Sequence, residues 1–187
     1  MTKTKNRCSW CMKDDIYMDY HDNVWGIPEY DDIKLFEFLN LEGAQAGLSW
    51  YTVLIKKDNY RKAFSNWDPK KIVKYKDKKI QSLLSNPGII RNKLKVNGVV
   101  TNAKLFLEMK SSGTSLSEYL WDLVDGEPIV NNWKDLSEIP AQTPLSQKIS
   151  KDLKKKGFKF VGPTIVYAFM QAVGMVDDHV ASCWRRG

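Results

Sequence analysis

A carboxylate lies within the apolar face of a predicted helix. Across residues 31–49, apolar side chains recur at α-helical spacing, and Glu42 falls in the middle of that apolar stripe. An unpaired charge is costly to bury, so this glutamate must be neutralised, paired or given a ligand. A bond to a neighbouring backbone group or arginine would also satisfy it. Glu42 is therefore the first candidate site residue. The apolar positions of the stripe are Leu35, Phe38, Leu39 and Ala46.

Composition limits the class of protein. A chain of 187 residues with 43% hydrophobic content suits one domain, or two small lobes that share a core. No apolar run approaches the roughly 20 residues that cross a bilayer, and the N-terminal stretch lacks the apolar segment of a secretory signal. We therefore expect a soluble, cytoplasmic protein that does not bind membranes. The net charge of +7 favours a polyanionic partner, although many basic proteins bind nothing acidic.

Helix signals dominate the sequence and predict an all-α fold. The helix at 90–110 is amphipathic, and the helix at 163–173 is apolar almost all round, which predicts a central position. Residues 128–144 are predicted to form a loop, in which only 128–130 resembles a strand. Capping residues and apolar spacing predict helices at 50–64, 70–75, 78–84, 90–110, 115–123, 146–156 and 163–173. The core positions expected in the helix at 90–110 include Leu94, Val100, Ala103 and Leu107.

The number of short helices favours a bilobal helical array over a regular bundle. We expect a single domain in which one lobe is formed by both ends of the chain, about 1–30 and 165–187, and the other by about 31–164.

All histidines and cysteines lie near the two ends of the chain. His179 and Cys183 are four residues apart, so that one helical face would present both. With Cys8 and His21 they would complete a tetrahedral zinc site that leaves no position for a catalytic water. Ligands so far apart in sequence form no compact finger motif, so unconnected residues remain the alternative, and Cys11 could replace Cys8. Three cysteines without a secretion signal argue against a disulfide framework.

Three lysines, a glycine-bounded turn and a new helix follow one another late in the chain. Gly157 is a natural left-handed cap, and Gly162 suits the cap of the following helix. We expect the turn to bury Phe158 or Phe160 and to expose amides near Gly162. These amides, the positive helix end and lysines such as Lys159 could bind a phosphate, as in a helix-hairpin-helix DNA-binding motif. A turn of this kind is often only a turn.

Aromatic residues are concentrated in the first part of the chain. Tyr17 and Tyr20 lie among four of the seven tryptophans, which are Trp10, Trp25, Trp50 and Trp67. Rings beside a buried carboxylate would form a slot that stacks on a planar base while the carboxylate binds its hydrogen-bonding edge. Core packing is the common alternative. Tyr20 directly precedes His21, so a metal there would hold this tyrosine rigidly.

Five segments in order along the chain combine into one specific pattern. They are Cys8, the run YHDNVWG at 20–26, the run LEGAQAGLSW at 41–50, the run KGFKFVG at 156–162, and Asp178 and His179 with Cys183. Together they closely resemble the 3-methyladenine DNA glycosylase I family. No single segment would identify a family.

The resemblance implies an all-helical member of the helix-hairpin-helix glycosylase superfamily, with a structural zinc. It implies hydrolysis of the N-glycosidic bond of 3-methyladenine in alkylated double-stranded DNA, by a monofunctional enzyme that flips the base into a pocket; we expect a monomer. On matching positions, the zinc ligands become Cys8, His21, His179 and Cys183. Glu42 becomes the catalytic residue, with Tyr20, Trp50, Trp10 and Trp25 as substrate-binding residues. Gly47 and Leu48 match a wedge, and Gly157, Lys159 and Gly162 match the hairpin on DNA.

One position departs from the family pattern, and a second segment matches a pattern of the wider superfamily. The family commonly has glutamate where this chain has Val24, which leaves the segment less acidic but touches no proposed ligand. The run VDDH at 176–179 resembles the V-D-x-H run in which other superfamily members place a catalytic aspartate, whereas this family is thought to work without it. Asp177 is therefore a second candidate catalyst, ranked behind Glu42. No lysine matches a nucleophile position, so we expect no Schiff-base lyase step.

Two rival functions remain to be separated from a glycosylase. A non-enzymatic DNA-binding module with a structural zinc would share the hairpin and the metal, but would not need Glu42 on an apolar face beside aromatic rings. A zinc deaminase requires H-x-E with P-C-x-x-C and an open metal position, and the sequence has neither.

Overall fold

Helices account for most of residues 5–186, which are the residues that the computed structural model describes. The protein is mostly helical, as predicted, with one pair of two-residue strands among these residues. None of the described helices is both long and apolar enough to span a membrane. The helices are α1 (Asp15–Asn23), α2 (Asp32–Gln45), α3 (Trp50–Leu54), α4 (Lys57–Ala63), α5 (Pro69–Ile72), α6 (Asp77–Leu84), α7 (Lys93–Ser111), α8 (Leu116–Trp121), α9 (Pro144–Lys155) and α10 (Pro163–Ala172). Short 3₁₀ turns lie at Ser9–Cys11, Ser65–Trp67, Asp122–Val124 and Leu136–Glu138. The terminal residues 1–4 and 187 of the predicted end lobe lie outside the described residues.

The centre of the molecule is α2. The Asp31 side chain caps it by accepting from the amides of Ile33 and Lys34. Every residue from Leu35 to Ala44 is buried, because α7 and α10 both pack against this helix. The helix ends at Gln45, earlier than predicted, so Ala46 is its C-cap and not part of the helical stripe.

The structure corrects two predicted helices and one predicted core residue. The helix expected at 50–64 is two helices, because Lys56 leaves helical geometry between α3 and α4. The helix expected at 90–110 begins only at Lys93, where the Asn92 side chain caps it. Leu94 therefore lies in the first turn and is 73% exposed, so its assignment to the core was wrong.

A parallel strand pair attaches the loop after α8 to the end of the chain. Strand β1 (Ile129–Val130) pairs with β2 (Val176–Asp177), with Ile129 opposite Val176 and Val130 opposite Asp177. The weak strand signal at 128–130 thus corresponds to a real but minimal strand. Its consequence is that the loop before α9 lies beside the segment that carries Asp178 and His179.

Candidate functional site

A cavity of about 390 Å³ opens beside the C-terminal half of α2. Its size falls in the range of pockets that hold small planar ligands. The five residues predicted to surround a base all line it: Trp10, Tyr20, Trp25, Glu42 and Trp50. The remaining lining residues are Tyr17, Gln45, Leu136, Ile139, Pro140, Ala141, Thr164, Tyr167, Ala168 and Gln171.

Glu42 is the acidic group of this cavity. The residue is 3% exposed, and its Oε2 atom is buried with no hydrogen-bond partner within residues 5–186. Neither does any ion pair neutralise it within that range. Burial raises the pKa of the Glu42 carboxyl well above its ordinary value. A buried acceptor without a partner is costly, so the cavity presents an atom suited to a hydrogen-bond donor or a cation.

Trp50 and Tyr20 form the aromatic face next to this carboxylate. Ser49 caps α3 by accepting from the Thr52 amide, and this cap places Trp50 at the first helical position. The Trp50 and Tyr20 ring centroids lie 5.3 Å apart, and the Trp50 Nε1 atom is buried without a partner among the described residues. Burial, and then the proximity of Glu42, raise the pKa of Tyr20 well above its ordinary value. The cavity thus presents an unpaired acceptor, Glu42 Oε2, and an unpaired donor, Trp50 Nε1.

The other tryptophans of the N-terminal part divide between cavity and core. The Trp10 ring packs edge-on against Trp25 at 5.1 Å and against Tyr17 at 4.9 Å between centroids. Trp67 lies elsewhere, in the hydrophobic core, stacked on Phe64 at 5.3 Å. Three of the four tryptophans therefore belong to the cavity wall and one has only a packing role.

A second cluster of chemical groups lies where the two ends of the chain meet. The Cys8 and Cys183 sulfurs and a ring nitrogen of His21 all lie within 4.8 Å of one another. His21 Nε2 is 3.4 Å from the Cys183 sulfur, while its Nδ1 is 2.9 Å from Asp22 Oδ1. The carboxylate on Nδ1 leaves Nε2 free to bind a metal, which is the usual arrangement of a ligating histidine. Burial raises the pKa of the Cys8 thiol to about 12 and lowers the pKa of His21.

His179 lies beside this cluster, outside the three converging ligand atoms. Its ring is edge-on to that of His21, with centroids 4.9 Å apart, and its Nδ1 is 2.7 Å from Asp177 Oδ1. His179 Nε2 is buried without a partner in the described part of the chain. Two thiols and two imidazoles whose outer nitrogens are each held by a carboxylate fit the donor set of a tetrahedral zinc site. A Cβ on Gly26 would lie 2.6 Å from the His179 ring, which explains the glycine in the run at 20–26.

The expected helical face for His179 and Cys183 is wrong. Residues 178–180 are irregular and 181–182 form a turn, which is closed by the bond from the Cys183 amide to the Val180 carbonyl at 2.8 Å. Cys11, the alternative to Cys8, lies outside the group of converging atoms. Its sulfur donates to the Cys8 carbonyl at 3.1 Å.

The turn between α9 and α10 is fixed by a buried amide. Gly157 has φ +98°, and Gly162 is the N-cap of α10, as predicted. The Asn102 side chain accepts from the Lys159 amide at 2.7 Å and donates to its carbonyl at 3.1 Å. Asn102 also donates to Asn40 of α2 at 2.9 Å. Both backbone groups of one hairpin residue are therefore bonded to a side chain that is itself bonded to α2.

Phe160 locks the same turn onto α2 and α7. Phe158 is the buried phenylalanine of the turn, whereas Phe160 has φ +57° and is half-buried. A Cβ on Gly43 or on Gly98 would lie 3.0 Å from the Phe160 side chain. These two glycines leave the space that the Phe160 ring occupies, and Gly43 directly follows Glu42 in the sequence.

The loop after α2 carries the predicted wedge. Lys95 Nζ donates to the Ala44 and Ala46 carbonyls, at 2.9 and 2.6 Å, and so satisfies the end of the helix. Gly47 follows with φ +76°, and Leu48 is 42% exposed. The loop thus holds an apolar side chain outward at the end of the helix that carries Glu42.

Sequence reasoning missed the part of the site that comes from α10. Tyr167 and Gln171 line the cavity, and both donate to the buried carboxylate of Asp178. Burial, together with this bond, raises the pKa of Tyr167. The signal was present, because Gln171 is a polar residue four positions after Tyr167 in an otherwise apolar helix. Asp177 does not line the cavity; it accepts from the amide of His179, at 3.0 Å.

Comparison with known proteins identifies the family of this chain. The family model described as methyladenine glycosylase matches residues 10–186. A DNA-3-methyladenine glycosylase of Haemophilus influenzae is 49% identical over 177 residues, which cover 95% of this chain and 96% of that protein. A crystal structure of 3-methyladenine DNA glycosylase I superposes with a TM-score of 0.95 at 47% identity, over 97% of this chain and 100% of that one. The Staphylococcus aureus 3-methyladenine DNA glycosylase I, solved to explain 3-methyladenine recognition, gives 0.93 at 37% identity, covering 98% and 97%.

Proposed function

This chain belongs to the methyladenine glycosylase family, and we propose that it is a DNA repair enzyme that hydrolyses the N-glycosidic bond of 3-methyladenine in alkylated DNA. The observation that carries the proposal is the unpartnered Oε2 of Glu42 on the wall of an aromatic cavity. A module that only binds DNA needs no such group.

The chemistry follows from the charge of the lesion. Methylation at N3 makes the base cationic, so the bond to the sugar breaks with its electron pair moving to the base, which leaves as a neutral molecule. Water adds to the sugar carbon, forms the hydroxyl there and releases one proton to solvent. The protein therefore needs to supply less stabilisation than it would for a normal base, and selection can rest on the pocket.

The cavity residues divide the work of selection. Glu42 accepts a hydrogen bond from the exocyclic amine and stabilises the cationic base more than a neutral one. Trp50 stacks on the flipped base, and Tyr20 hydrogen-bonds to it. Trp10 and Trp25 close the remaining aromatic face. Flipping costs a few kcal/mol, least at a damaged base, which adds to the discrimination.

We propose a structural zinc held by Cys8, His21, His179 and Cys183. The support is the convergence of three of these ligand atoms within 4.8 Å and the unpartnered Nε2 of His179 beside them. When bound, the metal would cross-link the two ends of the chain and would supply no reacting group. Tyr20 directly precedes His21 and Trp25 follows it four residues later. The same cross-link would therefore steady the cavity wall.

We propose that the protein grips double-stranded DNA as a monomer, through a helix-hairpin-helix motif and a wedge. One chain supplies every residue of the cavity and of the proposed metal site. The hairpin between α9 and α10 offers Lys159 and the amides around Gly162 to the phosphates, and Gly157, with φ +98°, makes its turn. Gly47 and Leu48 would fill the space that the flipped nucleotide leaves.

A test of the activity is identification of the base released from methylated DNA. We expect free 3-methyladenine in the supernatant after incubation with the protein, and none from unmethylated DNA of the same sequence. Binding of DNA without release of any base would support the non-enzymatic module instead.

Replacing Lys159 by glutamine is expected to weaken binding to every DNA sequence alike. Loss of one phosphate contact should lower the slope of log K against log salt by about one unit. The measurement is DNA affinity across a salt series, on undamaged and methylated duplexes. Lys71→Gln is the matched control, because Lys71 is an exposed lysine at the end of α5, 3.8 Å from Asp68. An unchanged slope for Lys159→Gln would mean that the hairpin is only a turn.

A further inference from the structure

Asp178 is a buried carboxylate with four hydrogen bonds and no contact with the cavity space. It is fully buried, and no ion pair to it occurs in residues 5–186. Oδ1 accepts from Asn131 Nδ2 at 2.7 Å and from Trp133 Nε1 at 2.6 Å. Oδ2 accepts from the Tyr167 hydroxyl at 2.7 Å and from Gln171 Nε2 at 2.8 Å. The two oxygens therefore bind two different parts of the protein.

Those two parts are two walls of the base cavity. The Oδ2 partners Tyr167 and Gln171 line the cavity from α10. The Oδ1 partners Asn131 and Trp133 do not line it, but they precede the loop residues that do, which are Leu136, Ile139, Pro140 and Ala141. This loop is bonded within itself, from the Lys134 amide to Glu138 at 2.7 Å, and its start is held to the C-terminal segment, where the Ala181 amide donates to the Trp133 carbonyl at 2.7 Å.

We propose that Asp178 is a positioning residue that sets the separation of these two walls and thereby the fit of the cavity to the base. A carboxylate only accepts hydrogen bonds, so Gln171 must direct its Nε2 toward Asp178 and its oxygen elsewhere. The hydroxyl hydrogen of Tyr167 is likewise committed to Oδ2. Asp178 thus fixes both the position of α10 side chains and their donor and acceptor roles. This inference rests on the proposed function.

The competing explanation is that Asp178 acts only on the fold or on the metal. It directly precedes His179, so a variant could lose the proposed metal and fail for that reason. Trp133 separates the explanations when its zinc content is measured as well, because its indole nitrogen reaches Asp178 while the residue itself does not line the cavity, although its ring packs against the cluster that contains Cys8 and Cys183. Trp184→Phe is the matched control. Trp184 Nε1 donates to Asp22 at 3.2 Å, beside the other histidine and away from the cavity.

The experiment measures binding of free 3-methyladenine by calorimetry, together with zinc content and thermal melting, for Trp133→Phe, Asp178→Asn and Trp184→Phe. We expect the first two to weaken base binding by about 5- to 20-fold, less than the full loss of a hydrogen bond to a charged group, because Asp178 acts on the base only through the cavity walls. They should raise KM for methylated DNA more than they lower kcat, with zinc content unchanged. Trp184→Phe should bind the base like the wild type. Because Trp133 acts through Asp178, the double variant should lose little more than Asp178→Asn alone.

The outcomes separate cleanly. Wild-type base affinity in Trp133→Phe with only a lower melting temperature would overturn the proposal and leave Asp178 a structural residue. Fully additive losses in the double variant would also overturn it. If Asp178→Asn does not fold, Trp133→Phe decides alone. A wild-type protein that releases no 3-methyladenine from methylated DNA would instead overturn the proposed function.

Discussion

Replacing Glu42 by glutamine is expected to slow the release of 3-methyladenine by about one to two orders of magnitude, because a charged hydrogen bond to a desolvated ligand contributes about 1.5–3 kcal/mol. Glutamine keeps the shape of the side chain but loses its charge, so it occupies the same space and attracts the cationic base less. The measurement is the rate of base release from methylated DNA under single-turnover conditions.

Two further variants define the role of Glu42. Trp50→Ala should lose a similar amount through stacking, whereas Asp177→Asn should matter much less, since Asp177 is bonded to His179 and does not line the cavity. If Asp177→Asn abolished release and Glu42→Gln remained fully active, the catalytic assignment would be wrong and the superfamily aspartate would replace it.

Glu42→Gln should become more stable than the wild type as the pH rises. Burial raises the folded-state pKa of Glu42 above its ordinary 4.5, so the folded chain holds a proton that the unfolded chain has lost between those two values. Glu42 therefore costs the wild type no stability below about pH 4.5, and the free energy of unfolding declines as the pH rises toward the folded-state pKa. Melting curves should show Glu42→Gln matching the wild type near pH 4 and exceeding it near pH 8.

Removal of the proposed zinc is expected to have the largest effect on stability. Cys183→Ser, or chelation of the wild type, should lower the free energy of unfolding by about 3–5 kcal/mol, because the metal closes a loop that spans nearly the whole chain. In a protein of this size that loss shifts the melting temperature by about 10 °C. Metal analysis and thermal melts of the same samples provide the measurement.

Cys11→Ser is the control for that experiment. Cys11 is a buried thiol like Cys183, but its sulfur lies outside the converging ligand atoms. It should therefore retain one zinc per chain. A metal-free protein of full stability would contradict the structural role of the metal.

The sequence predicted the local elements well where one side chain decides them. Ser49 and Gly162 each cap the helix that they were expected to begin. It failed where tertiary contacts decide: apolar spacing continues through Lys56, but the chain bends there, and Leu94 belongs to a helical pattern whose first turn faces solvent. Periodicity reports which residues could share a face, but not where a packed helix must end.

The candidate site was predictable for residues with unusual chemistry in unusual places. Glu42 on an apolar stripe and the cysteines and histidines at the two ends stand out in a single sequence. Asp178 and its donors do not, because an aspartate in an irregular segment is ordinary until the fold brings four donors from two segments around it. Such a group is recognised only from its partners.

The bonds that hold the hairpin to α2 have a consequence for how the protein reads DNA. Asn40 and Gly43, which anchor Asn102 and Phe160, flank Glu42 within a single turn of one helix. If the hairpin holds the DNA backbone, the distance between the bound phosphate and the base in the cavity is fixed, because the geometry of one helix sets it and no flexible segment lies between them. To inspect the next nucleotide, the whole molecule would have to dissociate from the phosphate and rebind one nucleotide further along the strand.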